Sequence, residues 1–164
     1  MVPKSSIFFL LSLISILLIA CGERELGNVK EITQEVKTYC SSLLIEQDKR
    51  GDKTLLIFKD KNSGENLEVF LRFDGYPTFH HVYLLYNFDP RNDKAEKAFS
   101  CAYNFLMAKF CHASLDDAFA GYRLALKANE YNRRYEKFDE FRKVGKCHVS
   151  FISRGDNGLS FLTF

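Results

Sequence analysis

Cysteine and histidine are the residue types of this 164-residue chain whose positions suggest covalent, metal-binding or catalytic chemistry. One of the five cysteines, Cys21, ends an apolar run near the N-terminus, and four follow further along: Cys40, Cys101, Cys111 and Cys147. Four thiols could form two disulfides, bind a metal ion or supply a nucleophile. An even number of cysteines in an exported chain favours disulfides, so we predict two of them.

Helix geometry limits how these four cysteines can pair. A helix is predicted over residues 94–110, and along it Cys101 and Cys111 would lie about 15 Å apart. Bridged Cα atoms lie within about 7 Å of each other, so these two cysteines should not pair. If the last two predicted helices form an antiparallel hairpin, Cys147 returns to the beginning of the helix that carries Cys101. This geometry favours the pair Cys101–Cys147. Cys40 would then pair with Cys111, and the exchanged pairing stays open.

The same residues allow a metal-site hypothesis. Cys111-His112 and Cys147-His148 repeat a Cys-His pair, and His80-His81 are adjacent in sequence. Cysteine and histidine ligands could bind zinc or copper. However, no Cys-x-x-Cys or His-x-x-x-His spacing supports such a site, and neighbouring residues of a strand point to opposite faces. We therefore expect no metal site and no cofactor.

A nucleophilic cysteine is the third possibility. Cys101 on a predicted helix and His148 at the start of a predicted strand resemble the catalytic pair of NlpC/P60-type cell-wall peptidases, some of which are lipoproteins. That resemblance implies Cys101 as nucleophile and His148 as its base. Members of the family carry Asp before and Ser-Gly after the nucleophile, whereas this chain reads Phe99-Ser100-Cys101-Ala102. Cys101 also lies two turns into its helix, away from the N-terminal dipole that lowers a thiol pKa. We expect no catalytic residue and retain the hydrolase as the alternative function.

The N-terminal run indicates where the protein is located. Residues 7–20 are almost entirely apolar and follow Lys4. A membrane-spanning helix needs about 20 apolar residues, so this shorter run fits a signal peptide. It closes on Leu18-Ile19-Ala20-Cys21-Gly22, which resembles the lipobox of bacterial lipoproteins with type II signal peptides. The resemblance implies cleavage before Cys21, a thioether-linked diacylglycerol on its sulfur and acylation of the new N-terminus. Gly22 implies sorting to the outer membrane.

This interpretation divides the chain into three parts. Residues 1–20 form a signal peptide that is removed, 21–27 a lipidated tether, and 28–164 a single domain. The 23 basic and 21 acidic side chains nearly balance, and cleavage removes only Lys4 among them. The charge therefore gives no reason to expect nucleic acid as a partner.

Hydrophobic periodicity predicts an α+β fold for the domain. The order α-β-β-β-α-α-β-β favours an antiparallel sheet of about five strands, with about three helices packed mainly on one face. The strand around Tyr83, Tyr86 and Phe88 is aromatic, which fits either a core strand or a binding platform. The predicted helices cover 28–45, 94–110 and 114–145, and the predicted strands 53–61, 66–73, 78–88, 146–153 and 159–164.

Together these patterns predict a lipid-anchored protein of the bacterial outer membrane that faces the periplasm. Membrane contact would come from the lipid on Cys21. With no catalytic motif in the domain, we expect it to act by binding another envelope protein.

Overall fold

The structure, a computed structural model, describes residues 26–61, 66–154 and 157–163. The predicted signal peptide and Cys21 lie outside the described residues. A single π-helical turn, Met107–Cys111, follows the second helix directly. The other elements are α1 (Val29–Tyr39), β1 (Leu43–Arg50), β2 (Lys53–Asp60), β3 (Asn66–Asp74), β4 (His81–Tyr86), α2 (Asp93–Leu106), α3 (Leu115–Arg133), β5 (Phe138–Val144), β6 (Cys147–Arg154) and β7 (Asn157–Thr163).

The strands form one antiparallel sheet with the order β1-β2-β3-β4-β7-β6-β5. The predicted α+β class, antiparallel sheet and three helices are confirmed. The sheet has seven described strands, against about five predicted, because β1 and β5 are added to the predicted order. These two are the edge strands. β5 lies within the predicted helix 114–145, and β1 begins inside the last residues of the predicted helix 28–45.

Helical spacing in those two segments was misleading. α1 ends at Tyr39, and Leu43 begins β1, which pairs with β2 along its whole length. α3 ends at Arg133 and Tyr135 adopts a positive φ of 57°, which stops the helix before β5 begins. Tyr135 and Phe141, both inside the predicted helix 114–145, have well-exposed side chains and do not belong to the core.

One face of the sheet forms the core with the helices. Leu71 and Tyr86 on this face are fully buried, and the Tyr86 ring lies 4.8 Å from that of Phe99 on α2. α2 packs against β2, β3 and β4, while α3 packs against β5, β6 and β7. α3 approaches closely at Gly121, where an added Cβ would lie 3.1 Å from Val144 Cγ2 and would collide with the Tyr103 hydroxyl. A larger residue at position 121 would therefore push α3 away from both neighbours.

A buried amide joins α3 to the chain after β4. Asn129 is fully buried, and its Nδ2 donates to the Phe88 carbonyl at 2.9 Å. The Phe88 N–H donates back to Asn129 Oδ1 at 3.2 Å. The side chain thus satisfies both main-chain groups of a residue that has already left the sheet.

We expect Asn129→Ala to lower the free energy of unfolding by about 2–4 kcal/mol, because it leaves a buried donor and a buried acceptor unpaired. Asn104→Ala is the matched control, since Asn104 is exposed on α2 and should change stability by less than about 0.5 kcal/mol. Urea unfolding followed by circular dichroism measures both. Equal effects of the two substitutions would contradict this role for Asn129.

Candidate functional site

All four cysteines of the domain form disulfides. Cys40 pairs with Cys101 at a Cα–Cα distance of 6.0 Å, and Cys111 pairs with Cys147 at 4.9 Å. Two bridges were predicted and two are present. The favoured pairing, Cys101–Cys147 with Cys40–Cys111, was wrong, and the exchanged pairing is the one in the structure.

β5 explains the error in pairing. After α3 the chain makes one more pass along β5, and this pass ends beside Cys111, the last residue of the π-helical turn after α2. The Lys146 N–H donates to the Cys111 carbonyl at 2.7 Å, so Cys147 follows directly next to its partner. Gly145 allows this approach because its φ is 58° and an added Cβ would strike the Cys111 carbonyl oxygen.

The disulfides limit both the nucleophilic-cysteine hypothesis and the metal-site hypothesis. A bridged sulfur has no thiolate, so Cys101 cannot attack a substrate while it is joined to Cys40. His148 is exposed, and its ring stacks on Phe141 with centroids 5.4 Å apart. None of the four bridged sulfurs is free to bind a metal, and the described residues contain no group of three or more cysteine, histidine or acidic residues placed to hold one.

The other face of the sheet is the candidate site. We call it the open face: it consists of outward-pointing side chains that keep part of their surface exposed while both long helices pack on the opposite side. Antiparallel sheets with one solvated face normally place polar residues there. Near the middle of the strands the described members of the open face are mostly apolar, whereas polar residues such as Lys53, Lys59, Asp74 and His81 occupy the strand ends. The central members are Leu55, Ile57, Phe70, Arg72, Tyr83, Leu85 and Ile152.

Strand register aligns the apolar members into a band across the sheet. Ile57 pairs with Phe70, and Phe70 pairs with Leu85. Leu159 holds the register position between Leu85 and Ile152. This apolar band therefore runs across β2, β3, β4 and β6, nearly perpendicular to the strands.

A polar row borders the apolar band. Arg72 donates to both carboxylate oxygens of Asp74, from Nε and Nη2, at 2.7 Å each. The guanidinium also lies 5.0 Å from the centre of the Tyr83 ring. Burial raises the pKa of the Tyr83 hydroxyl, and the nearby Asp74 carboxylate adds to that shift. Arg72 and Tyr83 are thus fixed in place, which lowers the entropy lost when a partner binds.

The aromatic strand contributes side chains to both faces of the sheet, and the prediction that it belongs to the core holds for part of it. Tyr86 and Phe88 are buried against the helices, whereas Tyr83 lies on the open face. Sequence reasoning missed Ile57, Phe70 and Leu85. The signal was available: β2 and β4 each contain consecutive apolar residues, which cannot all face one side of a strand.

A second apolar surface is the groove between α1 and the end of α2. It has a volume of about 500 Å³, with Tyr39 and Phe105 among its lining residues. Their rings meet edge to face at 5.7 Å. An ion pair between Lys109 and Glu35, at 2.7 Å, joins the two walls. Because these two are the charged residues among the described lining and neutralise each other, the groove offers no net charge to attract an acidic or basic ligand.

Comparison with protein-family models, characterised proteins and solved structures finds no match to this chain. Within the described ranges, no helix combines the length and the apolar character needed to cross a bilayer. The function is therefore inferred from the surfaces and the covalent chemistry of the domain.

The disulfides give a direct prediction. We expect a tryptic map of the unreduced protein to join the peptides of Cys40 and Cys101, and separately those of Cys111 and Cys147. The paired substitution Cys111→Ala/Cys147→Ala should lower the free energy of unfolding by about 4 kcal/mol or somewhat less, because it removes the cross-link that closes one loop in the unfolded chain. Both cysteines are replaced so that no free thiol remains to form a wrong disulfide. A peptide joining Cys101 to Cys147, or a free thiol at Cys101, would contradict the pairing.

Proposed function

We propose that this chain is a lipid-anchored protein of the bacterial outer membrane whose domain faces the periplasm and binds another envelope protein through the open face. The apolar band across that face is the observation that carries the proposal. It is an ordered apolar surface, and apolar patches of this kind on soluble domains mark interaction sites.

The shape of the open face favours a protein as the partner. Small ligands bind in concave pockets that bury most of their surface, whereas the apolar band crosses the strands of a sheet. The aromatic residues Phe70 and Tyr83, together with Arg72, belong to the types enriched at protein interfaces. A partner with an apolar ridge would cover the apolar band, and the polar row would lie at the rim of the interface.

The anchor is supported by the sequence around Cys21 and by the covalent chemistry of the domain. Disulfides such as these two form and persist in an oxidising compartment such as the periplasm, and are rare in the cytosol. The lipobox residues Leu18 to Cys21 supply the acylation site. Three acyl chains would hold the protein on the membrane, since each buried methylene contributes about 0.8 kcal/mol.

A cysteine hydrolase using Cys101 and His148 is the alternative function. It would require reduction of the Cys40–Cys101 bridge before any thiolate could form. Binding requires no such step, so the geometry favours binding.

The anchor predicts the behaviour of Cys21→Ala. We expect the substituted protein to lose the acyl mass and to leave the membrane fraction, because no thiol is present to accept the diacylglycerol. Gly22→Ala keeps the acylation site and is the control. Intact-mass spectrometry and membrane fractionation measure the outcome. Unchanged mass and partitioning in Cys21→Ala would contradict a lipid anchor.

The open face predicts the effect of Phe70→Glu. A carboxylate in the middle of the apolar band should weaken partner binding by about thirtyfold or more, since losing a central aromatic residue from an interface costs about 2 kcal/mol or more. Chemical crosslinking of the envelope followed by recovery of the tagged protein measures the amount of bound partner. Phe119→Glu is the matched control, because Phe119 is 62% exposed on α3, away from the sheet. Equal recovery from both variants, each with a wild-type melting curve, would reject the open face as the binding surface.

A further inference from the structure

The chain enters the domain at a fixed point. The Leu26 N–H donates to the Phe79 carbonyl at 3.0 Å, and the Phe79 N–H donates to the Gly27 carbonyl at 3.2 Å. Val29 then donates to the Pro77 carbonyl at 3.0 Å as α1 begins. The start of the domain is therefore held against the connection between β3 and β4, at one end of the sheet.

The length of chain before this point limits where the domain can lie. Cys21 and Leu26 are five residues apart in sequence. Even a fully extended chain of that length spans only about 17 Å. If Cys21 carries lipid, the end of the sheet next to Leu26 must lie within that distance of the bilayer surface, whichever way the domain turns.

An exposed tyrosine with two lysines occupies this end of the sheet. Tyr76 is 53% exposed, and Lys49 Nζ lies 3.9 Å above the centre of its ring. Lys30, which is exposed, directly follows Val29, whose N–H donates to the carbonyl of Pro77, the residue next to Tyr76. Lys49, and more weakly the charge of Lys30, lower the pKa of the Tyr76 hydroxyl. The turn between β1 and β2 lies alongside, since the Gly75 N–H donates to the Asp52 carbonyl at 2.8 Å. We call Tyr76, Lys30 and Lys49 the anchor-side cluster.

We propose that the anchor-side cluster rests in the headgroup layer of the bilayer and orients the domain with its strands pointing away from the membrane. The inference rests on the proposed acylation of Cys21. It goes further in naming the surface that meets lipid and the surface that does not.

The chemistry of the cluster fits a headgroup layer. Tyrosine has an apolar ring and a polar hydroxyl and is enriched at membrane–water interfaces. Lysine side chains place their apolar stems beside lipid and their ammonium groups at the phosphates. Lys30 and Lys49 therefore match anionic phospholipid headgroups in charge, and the short chain to Cys21 brings the two surfaces together.

The directions of the strands then determine which residues lie far from the membrane. β4 begins at the anchor side, and strands alternate in direction across β4, β7, β6 and β5. β5 consequently begins at the opposite end, close to Tyr135, which is 89% exposed. The apolar band lies between the two ends. In this orientation it stands clear of the lipid and stays accessible to a protein partner.

The chain contains no tryptophan, so single substitutions make specific fluorescent reporters. Purified acylated protein carrying Tyr76→Trp, Phe70→Trp or Tyr135→Trp is inserted into phosphatidylethanolamine–phosphatidylglycerol vesicles containing a nitroxide-labelled headgroup lipid. We expect several-fold stronger quenching of the reporter at position 76 than of the one at 135, with position 70 close to 135. Equal quenching at 76 and 135 would overturn the orientation. Strongest quenching at 70 would also overturn it, because the open face would then lie on the membrane.

A measurement on the unsubstituted protein guards against a folding defect in any variant. In the same vesicles, a membrane-impermeant amine reagent should label Lys30 and Lys49 several-fold more slowly than in detergent. Lys137, at the far end of the sheet, should be labelled at the same rate in both. If Lys30 and Lys49 are labelled as fast in vesicles as in detergent, as Lys137 is, the proposal is rejected.

Intact mass of the same samples separates this inference from the proposed anchor. Absence of acyl mass on Cys21 would overturn the anchor and the orientation that rests on it. Acylated protein with an unquenched reporter at position 76 would overturn the orientation alone.

Discussion

Packing of the helices on one face of a continuous antiparallel sheet is the constraint on which the rest of the structure depends. It divides the strand residues into two sets. One set, which includes Leu56 and Leu71, is removed from water entirely. The other set forms the open face, where the register aligns Ile57, Phe70 and Leu85. The apolar band of the open face therefore arises from the same alternation that builds the core.

The disulfides secure this arrangement at separate points. Cys40–Cys101 joins the C-terminal end of α1 to α2, and Cys111–Cys147 joins the π-helical turn after α2 to the start of β6. All four cysteines of the domain are used in this way. The fifth, Cys21, lies outside the described residues and is the one on which the proposed lipid anchor depends.

Much of the fold could be predicted from the sequence, because alternation in strands such as β3 is a local signal. Val69, Leu71 and Phe73 are fully buried, as their spacing predicted. The edge strands gave no such signal. In β5 only Phe138 and Val144 are buried, so chance helical spacing was the stronger pattern. That misassignment led to the wrong disulfide pairing, since the extra pass of the chain decides where Cys147 lies. Consecutive apolar residues in β2 and β4 signalled that some must face outward, but their alignment into one band depends on the register, which includes the pairing of β4 with the distant β7.

Photocrosslinking in living cells tests the central claim most directly. A photoreactive amino acid at position 70 should give a specific adduct with an envelope protein, since that position lies at the centre of the apolar band. The same group at position 119, on the exposed side of α3, should give none. Adducts at 119 without adducts at 70, or no adduct at 70 in acylated and folded protein, would contradict an account in which the open face binds a partner.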